Sequence, residues 1–503
     1  MVRGRAARRL PKSTGGFILA ARRTRTLASL EPPLVSDVVP DSLIVSVSGL
    51  RGIVGGSLTA DVAARYAAAF AATLPPGPIV IGRDGRATGP LLRDAIIAEL
   101  TAAGRDCIDC GIAATPTVGI VVQEDQAAGG IQISASHNPA PYNGLKLFSA
   151  AGRVLPAAAG AVVLERFRAG GAAVPATAAH GRVRTADGTA AHVARVLRTV
   201  DVEAIRRRRP RVWLDACHGA GSRAAVPLLE QLGCEVILEG GEPDGRFEHP
   251  PEPTAEHLAG MLPRIGQQRA AVGFFQDPDA DRLAIATADG RFIGEEATLA
   301  LAVEAVLAKT PGPIVVNCST SGMAARIAAR HGAACHVSAV GEANVVDMML
   351  ATGAVLGGEG NGGVIDPRVV LVRDSLVAMA LVLERMCAGP AVGITSIAEL
   401  SAGLPPFVMR KAKVDLSQRT RGPGLAAALD RVAAAFPDAR AGRLDGLRLD
   451  WDGGWLLVRS SNTEPIVRIV AEATADPAVE EAILRATAAI AAADAPPDPA
   501  GAR

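Results

Sequence analysis

One local pattern recurs three times along this chain: a short apolar run, a polar loop, then a helix closed by glycine. Pro78-Ile79-Val80-Ile81 leads through Gly82-Arg83-Asp84-Gly85-Arg86 to Thr88-Gly89-Pro90 and a helix ending at Gly104. Arg211-Val212-Trp213-Leu214-Asp215 leads through Gly219-Ala220-Gly221 to a helix ending near Gly233. Pro313-Ile314-Val315-Val316-Asn317 leads through Ser319-Thr320-Ser321 to a helix ending near Gly332. Apolar runs bounded by turn residues read as buried strands, and proline or glycine punctuates the helices. Simple connectivity explains any one copy; three in series point to α/β domains of related build. Loops at the carboxyl ends of such strands, backed by helix N-termini, are natural anion sites.

At 503 residues the chain exceeds one core, and its length suggests roughly three to five domains. The last stretch differs in style. Trp455-Leu456-Leu457-Val458 and Ile466-Val467-Arg468-Ile469-Val470 read as a hairpin, and Asp476 with Pro477 opens a closing helix to Ala492. Residues 494–503 read as a disordered tail. At the other end, Arg3, Arg5, Arg8, Arg9, Lys12, Arg22, Arg23 and Arg25 all precede the first acid, Glu31. That composition suits a transit peptide, and a disordered basic segment over 1–40 is the preferred reading.

Charge is balanced, with Lys+Arg 52 against Asp+Glu 51, which argues against a nucleic-acid coat or an acidic scaffold. Aromatic residues are 3%, too few for the stacking platforms that single strands need. No uncharged apolar run reaches the ~18 residues of a membrane span. The 7 cysteines lie scattered in apolar segments, as in a reducing cytosol. Cys107-Ile108-Asp109-Cys110 has the spacing of a redox or zinc half-site but no second pair, and is read as buried structural thiols.

The chemistry gathers in four stretches. Gly130-Ile131-Gln132-Ile133 runs into Ser134-Ala135-Ser136-His137-Asn138-Pro139, a strand end opening into a tight loop with an exposed hydroxyl. An ordinary strand-to-turn junction competes with that reading. Asp277, Asp279 and Asp281 alternate, which on an extended backbone aims three carboxylates the same way. Their repulsion calls for a hard divalent cation, Mg²⁺ first among them. An EF-hand is rejected because Arg282 and Ala288 stand where it needs Gly and Glu. A phosphatase with an Asp nucleophile starts from a similar strand end but leaves the other motifs idle.

Three aspartates leave octahedral Mg²⁺ short of ligands, and a phosphate on Ser136 would complete the set. Phosphoryl transfer needs positioning and charge neutralisation more than covalent machinery, and Arg51, Lys146 and Arg282 are the candidate cations. Gly357 to Gly363 sets Glu359 and Asn361 in a glycine-rich loop suited to sugar hydroxyls, or simply a turn. Arg459-Ser460-Ser461-Asn462-Thr463 gathers hydroxyls, an amide and N–H groups around an arginine: an anion nest, or a plain hairpin turn.

In this order and spacing, the four motifs resemble the α-D-phosphohexomutase family, which includes phosphoglucomutase, phosphomannomutase and phosphoglucosamine mutase. The resemblance spans about residues 42 to 475. It implies an α/β fold: three related α/β domains with mixed sheets plus a distinct α+β C-terminal domain around one central cleft. The limits expected are 41–182, 183–290, 291–402 and 403–493. It implies that Ser136 carries the catalytic phosphate and, with Asp277, Asp279 and Asp281, holds Mg²⁺. Glu359 and Asn361 then recognise the sugar, while Arg459, Ser461, Asn462 and Thr463 grip the substrate's own phosphate. Arg51 and Lys146 stand by the transferred phosphoryl group, and Arg282 on the substrate. The reaction implied is hexose 6-phosphate ⇌ hexose 1-phosphate through a hexose 1,6-bisphosphate that turns over in the cleft.

One position departs from the pattern. Where phosphomannomutases and many phosphoglucosamine mutases end the sugar loop in His, this chain has Gly363, so no proton transfer assigned to that His carries over. The expectation is a cytoplasmic, Mg²⁺-dependent intramolecular phosphotransferase, with phosphoglucosamine mutase ranked ahead of phosphomannomutase and phosphoglucomutase. Its partners are small-molecule sugar phosphates, with no nucleic acid and no membrane, and it acts as a monomer or homodimer. A metal-dependent sugar-phosphate phosphatase and a non-catalytic sugar-phosphate sensor are the rivals.

Overall fold

A computed structural model describes residues 43–170, 179–389, 393–415, 423–460 and 466–491. The expected basic N-terminus and the tail from 494 lie outside them, as do Ser461, Asn462 and Thr463.

The recurring pattern builds three mixed sheets around one shared plan. In the first, Ile79–Arg83 is flanked in parallel by Cys107–Ile112 and Gly129–Ile133, and Tyr142–Ser149 runs antiparallel beside the latter. Gly49–Ile53 and Ile44–Ser46 extend that edge. In the second, Arg211–Asp215 lies parallel between Glu235–Glu239 and Val272–Gln276, with Leu283–Thr287 antiparallel outside. In the third, Ile314–Asn317 lies parallel between Cys335–Ser338 and Leu356–Glu359, with Gly363–Ile365 antiparallel outside. Every residue of Val272–Gln276 is buried, as a strand covered on both faces requires. Val183–Thr185, expected to open the second domain, instead pairs with Cys107–Ile112 and extends the first sheet.

The fourth sheet is wholly antiparallel, in the order Val408–Asp415, Ile466–Ala473, Gly454–Ser460, Leu447–Trp451, Arg440–Gly442. Helices Pro423–Ala435 and Asp476–Ala491 supply the rest of its core around Val432, Leu456 and Ala482. The first three units, by contrast, are fused. One apolar cluster runs from Val80 and Val118 through Val212 and Leu228 to Ile314 and Leu381. Helices Glu295–Leu307 and Ser375–Cys387, buried nearly all round, belong to that shared core. No described helix is long and apolar enough to cross a membrane.

This plan decides where the motifs fall. In each α/β unit the chain leaves a parallel strand and returns as its antiparallel neighbour through residues 134–141, 277–282 or 360–362. All three connections are chemical motifs. The strand-to-helix loops, expected to be the anion sites, are spent on propping them. Arg86 holds the Ser136 loop, Ala220 donates its N–H to Pro278 O at 2.8 Å, and Thr320 Oγ1 accepts from Gly360 N at 3.0 Å. Gly219 is glycine because a Cβ there would stand 2.6 Å from Pro278 Cα.

Candidate active site

Ser136 sits at φ +49° in a loop held from beneath. Arg86, fully buried, donates from Nη2 to Ser136 O and Asn138 O, both at 2.6 Å. Its Nη1 reaches Pro139 O at 2.8 Å and Tyr142 O at 2.9 Å, and Nε pairs with Asp84 Oδ2 at 3.1 Å. Ser134 Oγ donates to the same Asp84 oxygen at 2.7 Å and accepts Ser136 N–H at 2.8 Å. The Ser136 hydroxyl was expected to be exposed; it is buried, because its Oγ donates to Asp277 Oδ2 at 2.7 Å across the unit boundary. Arg51 Nη1 donates to Asn138 Oδ1 at 2.8 Å. His137 Nδ1 lies 3.3 Å from Ser136 Oγ, and Arg282, burial and Arg51 hold its ring well below the usual imidazole range.

The three aspartates do converge, but through a tight turn rather than an extended strand. Ala280 takes φ +57°, and Asp277 Oδ1 accepts the N–H groups of Asp281 and Arg282, both at 3.1 Å. One carboxylate oxygen from each lies within 4.8 Å of the others, and all three residues are fully buried. Burial, then Asp281 and Asp279, push the Asp277 carboxyl well above its ordinary range. Lys146 Nζ bridges Asp279 Oδ2 at 2.6 Å and Asp281 Oδ2 at 2.7 Å. Burial works against its charge, and those two carboxylates outweigh it. Asp279 Oδ1 and Asp281 Oδ1 remain buried without a hydrogen-bond partner among the described residues. An all-oxygen set with spare lone pairs fits a hard divalent cation.

Glu359 is fixed from three sides: Oε1 accepts from Asn317 Nδ2 at 2.7 Å and Gly341 N at 3.1 Å, and Oε2 pairs with Arg373 Nη1 at 2.6 Å. A cavity of about 480 Å³ opens above it, lined from all four units by His137, Arg282, Glu359, Asn361, Lys413 and Arg459 among others. On its far wall Lys413 pairs in register with Arg468, and Arg468 with Arg459. Directly opposite residues on neighbouring strands share a face, so these cations form a row across the fourth sheet.

The domain families of the phosphoglucomutase/phosphomannomutase group match this chain in order. The α/β/α domains I, II and III cover residues 43–172, 190–290 and 295–405, and the C-terminal domain covers 413–490. The chain belongs to the phosphoglucomutase/phosphomannomutase family. It is 35% identical over 443 residues to the phosphoglucomutase/phosphomannomutase of Thermococcus kodakarensis, spanning 86% of this chain and 95% of that one. It is 32% identical over 438 residues to a probable phosphoglucosamine mutase of Methanopyrus kandleri, spanning 86% and 94%. A solved phosphoglucomutase/phosphomannomutase family protein of Burkholderia thailandensis superposes with a TM-score of 0.77 at 28% identity, covering 90% and 98%. The protein is a phosphohexomutase, an isomerase that works by phosphotransfer.

Several residues that build this phosphohexomutase's site were not singled out from sequence. Arg86 and Asp84 read as loop punctuation, and only the fold brings them under Ser136. Thr115, at the start of helix Thr115–Glu124, donates its Oγ1 to Asp279 Oδ2 at 2.5 Å. Arg373, Lys413 and Arg468 carried no local motif. The nearest sequence signal is period-two placement of Lys411 and Lys413 on one strand.

Proposed function

We propose that the enzyme interconverts hexose 6-phosphate and hexose 1-phosphate through phospho-Ser136 and a hexose 1,6-bisphosphate, with glucosamine phosphate as first substrate. The observation that carries this reading is the Ser136 hydroxyl at 2.7 Å from Asp277 Oδ2, with the adjacent His137 lining the cavity. A divalent ion at Asp277, Asp279 and Asp281, Mg²⁺ by its oxygen ligands, supplies charge neutralisation for the phosphoryl oxygens. The chain's own groups do the positioning. Arg51 and Lys146 bring positive charge beside Ser136, Glu359 and Asn361 offer acceptors and a donor to the sugar hydroxyls, and Arg459 with Lys413 faces the distal phosphate.

The bond between Ser136 Oγ and phosphorus breaks as the substrate's free hydroxyl oxygen takes the phosphoryl group. The resulting bisphosphate turns in the cavity, and its other phosphate returns to Ser136 Oγ. Lys146, ion-paired to Asp279 Oδ2 and Asp281 Oδ2, stands by as neutralising charge, and the hydroxyl proton passes to the phosphoryl oxygens being transferred. The name of the M. kandleri relative supports glucosamine phosphate; that of the T. kodakarensis relative keeps mannose and glucose phosphates in the test.

The test is an isomerase assay on the three 6-phosphates with Mg²⁺ and a catalytic amount of bisphosphate. Ser136→Ala is expected to abolish turnover. Activity within a few-fold of wild type would sink the nucleophile, and phosphate release without isomerisation would turn the reading to a phosphatase.

A further inference from the structure

Gly363 closes the glycine-rich loop that carries Glu359 and Asn361, and Arg373 fills the space that a side chain there would need. The backbone at 363 is outside the left-handed region, so a side chain is conformationally allowed there. A Cβ would nevertheless overlap Arg373 Cδ and stand 2.9 Å from Arg373 Cγ. An arginine stem ordinarily swings aside at little cost. This one is pinned. Nη2 pairs with Asp281 Oδ2 at 2.7 Å, Nη1 with Glu359 Oε2 at 2.6 Å, and Nε lies 3.2 Å from Glu342 Oε2. Its backbone N–H donates to Glu342 Oε1 at 2.9 Å. The next residue, Asp374, is anchored as well. It caps helix Ser375–Cys387, and its Oδ2 meets His192 Nε2 at 2.8 Å, while His192 Nδ1 meets Thr117 Oγ1 at 2.8 Å. That buried relay ties the segment carrying Arg373 to the first and second units.

We propose that Arg373 is a positioning residue that takes over the space of a side chain at 363 and ties the metal-side carboxylate Asp281 to the sugar-side carboxylate Glu359. The inference rests on the reading of Glu359 as the sugar's acceptor. A planar guanidinium has N–H groups in a fixed fork, so one side chain holds two carboxylates from different units at set angles; an ammonium has no such fork. It has no proton to give or take near neutral pH, so it orients and neutralises but does not act as an acid or base. Glu359 loses one of its three supports when the fork is removed, and the hexose hydroxyls then meet a carboxylate that must be ordered on binding. Ordering of a sugar-binding group weakens substrate binding, and Asp281, released from Nη2, belongs to the carboxylate group that Ser136 Oγ meets through Asp277, so turnover slows as well.

Two variants separate the fork from the stem. Arg373→Met keeps the bulk and removes the fork; its KM for hexose 6-phosphate is expected to rise about tenfold or more, and its kcat to fall as Asp281 loses its partner. In a Glu359→Gln background the same change is expected to move KM less than about twofold, because the group it positions is already altered. Should Arg373→Met fold poorly, Arg373→Lys carries the same KM expectation, since it keeps charge without the fork. The packing half is read by thermal unfolding alone. Gly363→Ala lowers the midpoint in the Arg373 background, and Gly363→Ala with Arg373→Gly lies above the value expected from adding the two single changes. An unchanged KM in Arg373→Met, additive KM effects with Glu359→Gln, or an unshifted midpoint for Gly363→Ala would each overturn the proposal. A wild type without mutase turnover would instead strike the functional reading, and the unfolding cycle would still decide whether Arg373 owns the space at 363.

Discussion

Arg86 donates to four carbonyl oxygens of the loop that carries Ser136 and to Asp84 beneath it, with almost no exposure to water. Burial pushes the Asp84 carboxyl upward, and Arg86, then the Ser134 hydroxyl, pull it back. Removing the guanidinium leaves that acid uncompensated and the loop carbonyls without donors. Arg86→Ala is therefore expected to lose on the order of 3–5 kcal/mol in urea unfolding. In the fraction that folds, kcat is expected to fall about 10²-fold, because a nucleophile displaced by about 1 Å loses its attack geometry. Arg86→Lys keeps charge but not the fork and falls between. An unchanged kcat in a folded Arg86→Ala enzyme would remove Arg86 from the positioning of Ser136. What could be read from sequence at this scale was local: Ser136, the aspartates and Glu359 each sit in a short stretch whose composition advertises chemistry. Arg86 and Arg373 do not, since their partners lie in other segments and their own neighbours look like turn residues.

The connection from a parallel strand to its antiparallel neighbour is the element that the three α/β units share, and it leads from Ser136 in the first to the three aspartates in the second and the glycine-rich Glu359–Asn361 stretch in the third. The recurring strand–loop–helix pattern was visible in the sequence. Which loop of each unit would face the cavity was not, because that depends on the final antiparallel strand, whose pairing partner is set by the sheet. The cation row on the fourth sheet has the same origin: Lys413, Arg468 and Arg459 lie on three strands and meet only through their register. Like charges directly opposite destabilise a sheet, and Asp445 Oδ1, 3.4 Å from Arg459 Nε, offsets part of that here. Lys413→Met is expected to raise KM for the hexose phosphates and to weaken the dependence of KM on ionic strength. The same substitution is expected to leave stability in urea unchanged or raised by about 0.2–1 kcal/mol. A variant with wild-type KM and wild-type salt dependence would take Lys413 out of the phosphate grip.

Across the whole molecule, the first three units share an apolar core while the fourth meets the third largely through polar groups. Glu472 Oε1 accepts Gly322 N–H at 2.7 Å and, within its own unit, Trp455 Nε1–H at 2.8 Å, while Asp445 Oδ2 accepts Val340 N–H at 3.1 Å. Within the third unit, next to Gly322, Glu296 Oε2 accepts Ser321 N–H at 2.9 Å. Arg448 Nη1 donates to Cys318 O, and a small apolar patch of Cys318, Trp455, Leu457 and Val470 lies between. Burial, more than any neighbour, pushes the Glu296 carboxyl up to about 8 and raises Glu472 as well. A carboxyl raised in the folded state stays protonated there while the unfolded chain releases its proton from about pH 4.3 upward. The folded enzyme then binds more protons than the unfolded chain, so stability falls as pH rises from about 4.3 toward 8, where the folded group also ionises. Below that window the contribution is fully present. Because Glu296 is only half-buried, the loss expected between pH 5 and 8.5 is on the order of 1 kcal/mol. Thermal unfolding across that range checks it: Glu296→Gln, which cannot ionise, is expected to flatten the slope and to melt above wild type at pH 8.5. An unaltered slope in Glu296→Gln would place the pH sensitivity of the enzyme elsewhere.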